Sequence, residues 1–156
     1  MIYIYEFEVY RDEKFLIAEP FDFDGATQGE DEKDLAYMAN DWLRMEIEYC
    51  LMHNEDIPEA TFGNEPRYDG RIMIVAVEVN LDSIEAVQAY KAAEILGVSR
   101  GRISQMVASY LLEGFKKGRD LFITMDSINA RLKDTRKTTG YSQNKTDKKE
   151  TFTVSE

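Results

Sequence analysis

Between Tyr90 and Tyr110 the chain reads YKAAEILGVSRGRISQMVASY, and this stretch leaves little choice of local structure. Ala92 and Ala93 place small side chains on the inner side of a short helix over residues 91–96, where a second helix can approach closely. Gly97 supplies the left-handed backbone that a sharp corner needs. Val98 fills that corner, and Ser99 is a good N-cap for the next helix. Helical spacing then turns Ile103, Met106 and Val107 inward and leaves Arg100, Gly101, Arg102, Ser104 and Gln105 outward near the N-terminal end. The pattern predicts a helix-turn-helix, whose second helix enters a DNA major groove N-terminal end first.

The following LLEGFKKGRDLFIT predicts two short strands, over 115–116 and 121–123, around Lys117-Gly118-Arg119-Asp120. A hairpin with a basic tip is a wing. Its Lys116, Lys117 and Arg119 are expected on phosphates more than on bases. Ser99 is expected to cap its helix and to reach phosphate, and Arg100 and Arg102 to meet bases or phosphates. Thr124-Met125-Asp126 offers caps for a last helix over 127–133, with Ile128 and Leu132 buried. Residues 136–156 hold little apolar content and predict a disordered tail.

Charge divides the chain at the same place. Residues 1–82 contain 6 Lys and Arg against 21 Asp and Glu, a net −15, whereas residues 83–156 contain 13 against 9, a net +4. Such asymmetry suggests two modules with different partners. The basic part suits phosphates, and the acidic part suits a basic protein.

In the acidic part, residues 2–9 alternate with a period of two. Tyr3, Tyr5, Phe7 and Val9 share one face, and Ile2, Ile4, Glu6 and Glu8 the other. The run 11–14 predicts a turn to a second strand, 15–18, closed by Pro20. Residues 31–53 predict a helix with Leu35, Met38, Ala39, Trp42, Met45, Tyr49 and Met52 inward, and with acidic residues in its first turn. Trp42 is expected to anchor the core. Residues 54–70 predict a loop, and the nearly continuous apolar run 72–79 a central strand. Asp82-Ser83-Ile84-Glu85 suggests a capping box with Asp82 or Ser83 as N-cap. The fold class is α+β: an antiparallel sheet with one long helix over 1–82, then a winged helix-turn-helix over 83–135.

Two resemblances attach to these residues. AAEILGVSRGRISQMVASYLLEGFKKGRDLFITMDSINARL resembles the winged helix-turn-helix of the MerR and excisionase type. Residues 1–82 resemble the HicB antitoxin family through FDGATQG at 23–29, the acidic helix start, DIPEA at 56–60 and the strand over 74–79. The second resemblance implies a partial RNase H-like fold without its activity. It also implies a small basic ribonuclease partner, a HicA-like toxin, and repression of the chain's own operon. A homodimer or higher homo-oligomer on paired half-sites of double-stranded operator DNA is expected. The alternative is an orphan regulator, or an excisionase-like architectural factor, with no toxin partner.

Other chemistry finds little footing. His53 is the single histidine and Cys50 the single cysteine, so no disulfide within the chain and no His/Cys metal cluster is expected. Cys50 is read as a buried apolar residue and His53 as a helix-end residue. A nuclease would need carboxylates converging on metal ions. Asp12, Asp22, Asp24, Glu30 and Asp31 are available, but none alternates into a core, so a solvated acidic surface is the preferred reading. No enzymatic activity and no cofactor are expected. A cytoplasmic protein without a membrane span is the expectation.

Overall fold

A computed structural model describes residues 1–134. The expected disordered tail over 136–156 lies outside the described residues. The chain divides into two compact units, the first Met1–Ile84 and the second from Glu85 onward.

In the first unit, strands β1 (Ile2–Arg11), β2 (Leu16–Pro20), β3 (Thr27–Gly29) and β4 (Arg71–Glu78) form an antiparallel sheet in the order β3-β2-β1-β4. Helix α1 (Glu32–His53) starts at Asp31, whose carboxylate accepts the Asp34 N–H, and ends at Asn54 in the left-handed region. One face of the sheet carries Tyr5, Phe7, Val9, Val75 and Val77 into a core shared with Leu35, Ala39, Leu43 and Ile47 of α1. Burying each large aliphatic or aromatic side chain there contributes about 1.5–3 kcal/mol. Trp42 anchors this core at its margin, edge-on to both Phe7 and Phe23 at 6.0 Å between ring centroids.

Three expectations are corrected here. First, α1 does not turn Met45 and Tyr49 inward; both are exposed, and its buried stripe is Leu35, Ala39, Leu43, Ile47 and Cys50. Both stripes satisfy helical spacing, and the sheet takes the one richer in compact aliphatics. Second, β4 is an edge strand, pairing only with β1 among the described residues. Its apolar run comes from an inner set, Val75 and Val77, interleaved with Ile74 and Ala76, which remain exposed. Third, the chain after β4 makes a short 3-10 turn at Leu81–Ser83 capped by Asn80, with Ser83 closing the reciprocal bond. Neither Asp82 nor Ser83 is the N-cap.

The 54–70 loop is irregular, as expected, but it is tightly held. Glu6 is buried and accepts N–H bonds from Gly63 and Asn64. Glu8, 1% exposed, accepts them from Arg67, Tyr68 and Gly70 at 2.6, 2.8 and 3.0 Å. Arg67 lies over the Phe21 ring, and Tyr68 packs on Tyr10, so residues 63–70 lie across the sheet face opposite α1, whereas Ile57 and Ala60 pack on the α1 side and the Pro58 carbonyl accepts the Tyr5 hydroxyl. Burial and the hydrogen bond to Glu19 push the Tyr10 hydroxyl up to about 12.

In the second unit, β5 (Ala86–Gln88), β6 (Gly114–Lys117) and β7 (Asp120–Thr124) form an antiparallel sheet in the order β5-β7-β6. Helices α2 (Ala89–Leu96), α3 (Arg100–Ala108) and α4 (residues 125–134) pack with it around Ala92, Ala93, Ile103, Met106, Leu112, Ile123 and Ile128. The strand β5 has no counterpart among the sequence expectations. It pairs with β7 and fixes the base of the β6–β7 hairpin.

Candidate nucleic-acid interface

The corner between α2 and α3 is built by three consecutive residues. Gly97 has φ 67° and closes α2, its N–H donating to the Ala93 and Glu94 carbonyls. A residue with a Cβ pays a steric cost in that conformation. Val98 packs half-buried into the core below. Ser99 is extended, and its Oγ accepts the Arg102 N–H at 3.0 Å. That bond uses one lone pair and leaves the hydroxyl proton able to donate outward.

Beyond the cap, Ile103 and Met106 are buried, while Arg100, Gly101, Arg102, Ser104 and Gln105 are all exposed. These five and Ser99 are therefore presented together on the N-terminal half of one helix. The first turn of α3 holds no acidic residue, whereas the first turn of α1 holds Glu32 and Asp34. A helix N-terminus favours anions, so two arginines there work against helix stability, by a few tenths of a kcal/mol each. The helix dipole therefore does not account for their place.

Arg100 has a partner that sequence spacing does not reveal. Its guanidinium lies 5.6 Å from the centre of the Tyr90 ring, at the start of α2. The contact exists only because the Gly97 corner folds one helix start back toward the other. An exposed cation–π contact of this kind is worth about 0.5–1 kcal/mol and limits the arc the arginine sweeps.

The hairpin tip is a two-residue turn, Gly118-Arg119, flanked by the Lys117–Asp120 pair. Gly118 has φ 66°, at the first central position where a type II′ turn requires it. Lys116, Lys117 and Arg119 are exposed. Strand alternation separates the two lysines: Lys117 lies on the face of Phe115, which is buried and stacks on Phe122 at 5.8 Å, and Lys116 lies on the other. The structure thus does not bring Lys116 and Lys117 to one face. Tyr110, with φ 62° and 92% exposed, ends the α3 segment and was not singled out from sequence. A left-handed conformation at a non-glycine residue is the structural signal that marks it.

Three of the five carboxylates considered for metal chemistry in the first unit have local roles. Asp12 accepts the Lys14 and Phe15 N–H groups, Asp22 accepts the Thr61 N–H and hydroxyl, and Asp31 caps α1. Among the described residues, no group of three or more His, Cys, Asp or Glu is placed to hold a metal ion. Burial pushes the Cys50 thiol up, which lowers its thiolate fraction. No described helix is long and apolar enough to cross a membrane.

No family model matches the chain. No curated protein matches it. A chain in a solved toxin-antitoxin complex from Streptococcus pneumoniae is similar, with 17% identity and a TM-score of 0.45, over 70% of this chain and 99% of that one.

Proposed function

We propose that this chain is a DNA-binding repressor of antitoxin type. The α2–α3 corner acts as a helix-turn-helix and the β6–β7 hairpin as its wing. The observation that carries the reading is the start of α3: a capped, acid-free helix N-terminus presenting Arg100, Arg102, Ser104 and Gln105 to solvent. In the major groove, Arg100 and Arg102 are suited to guanine edges or phosphates, and Gln105 to adenine. Lys116 and Arg119 of the hairpin add phosphate contacts. The reading includes a cytoplasmic protein acting as a homodimer on double-stranded operator DNA.

The acidic unit, with its net −15, is assigned to a small basic partner protein of the HicA-like ribonuclease type. The net charge and the HicB-like segments at 23–29 and 56–60 support that assignment. The unit is proposed to act by capture, without an enzymatic activity of its own.

The test is the double variant Arg100→Ala/Arg102→Ala in a gel shift with DNA from upstream of the gene. Loss of two groove contacts is expected to weaken binding by at least about 100-fold. Unfolding and capture of the basic partner should be unchanged. Equal loss of stability and of both binding functions would mean that these arginines hold the fold instead.

A further inference from the structure

We propose that the outer face of the β1–β4 pair, away from α1, is the contact surface for a second copy of this chain. The register sets Ile4 opposite Ala76, Ile2 opposite Glu78 and Glu6 opposite Ile74. Alternation therefore gathers Ile2, Ile4, Ile74 and Ala76 on one face. Ile2 and Ile74 are each 63% exposed and Ile4 is 42% exposed, with Met1 exposed beside them. Further along the same face, Glu6 and Glu8 lie beneath the 63–70 loop. The cover stops where the aliphatic patch begins.

The edge of β4 is arranged differently. The Val79 N–H donates inward to the Met1 carbonyl, so residues 76 and 78 direct their backbone groups outward. Two side chains of α1 occupy those carbonyls. Asn40 Nδ2 donates to Ala76 at 3.0 Å, and an Arg44 guanidinium N–H donates to Glu78 at 3.1 Å. Such capping protects a sheet edge against strand addition. Association is thus directed away from the edge and onto the face.

Charge selects the occupant. The unit carries a net −15, so a basic partner is drawn to its acidic surfaces. The patch has no charge at its centre; Glu78 lies at one margin, and Glu6 at the other is buried beneath the loop, so little carboxylate is offered to such a partner. A two-fold axis sets a patch against itself, so like charges would repel and a neutral aliphatic surface is self-complementary. Interfaces between identical subunits are also the more apolar kind.

This deepens the homodimer of the proposed function, and its test uses no DNA. Sedimentation of the full chain is expected to show a dimer. Ile74→Lys and Ile4→Lys should each raise the dimer dissociation constant by at least about 100-fold, because two unpaired cations would be buried per dimer. Both positions are exposed in one chain, so the circular dichroism spectrum and thermal melt should be retained. Tyr37→Lys, on the exposed side of α1, should leave the dimer intact. A wild-type monomer at all concentrations would overturn the proposal. So would a dimer that survives both lysine variants, or lysine variants that lose only the capture of a basic protein. Failure of DNA binding with the dimer intact would count against the proposed function and leave this surface standing.

Discussion

Glu6 and Glu8 show what a single residue can decide. Alternation alone puts them on the sheet face opposite the α1 core, where glutamates ordinarily meet water. Instead they accept five backbone N–H groups, and Glu6 also accepts the side-chain amide of Asn64. For Glu6, the Asn64 N–H is the main influence, and it holds the carboxyl below its ordinary 4.5 against the effect of burial. For Glu8, burial is the largest influence and acts upward, but the N–H groups of Arg67, Tyr68 and Gly70 together outweigh it. The unfolded carboxylates bind protons more tightly than the folded ones, so their contribution is complete above that ordinary value and is lost as the pH falls below it. Thermal unfolding should therefore be level near neutral pH and decline steeply below about pH 4. Glu8→Gln should cost about 2 kcal/mol at neutral pH and flatten the acid decline. A variant whose decline matches the wild type would remove Glu8 from this role.

The elements differ in how far their own sequence specifies them. The α2–α3 corner was legible because its signals are local: Ala92 and Ala93, then Gly97, Val98 and Ser99 within eight residues. Gly97→Ala is expected to cost about 1 kcal/mol through the left-handed backbone, with the corner retained in the folded protein. Differential scanning calorimetry would read it, and no change would mean that the corner does not need positive φ. Other elements were hidden because they depend on distant partners. The strand β5 is three residues long and exists through β7, more than thirty positions away. The edge position of β4 was masked by Ile74 and Ala76, which continue the apolar run without being buried. In α1, two apolar stripes obeyed the same spacing, and only the sheet distinguishes Leu43 and Ile47 from Met45 and Tyr49. At the candidate interface, the residues of α3 were legible from spacing. The Tyr90–Arg100 contact and the opposite faces of Lys116 and Lys117 required the folded backbone.

At the scale of the molecule, two units of opposite charge share one chain. The acidic unit would repel phosphate, so the proposed binding to DNA falls to the second unit, where each lysine or arginine on a phosphate would release counterions. The logarithm of the affinity should therefore fall linearly with log salt, with a slope proportional to the number of phosphates met. The most direct test of the central claim is a fluorescence anisotropy titration of the full chain with DNA from upstream of its own gene, against scrambled DNA, over a salt series. The expected result is a salt-sensitive complex at least about 1,000-fold tighter on the upstream DNA than on the scrambled sequence. Equal affinity for both sequences, or no binding at low salt, would contradict the account and leave α3 without a groove to read.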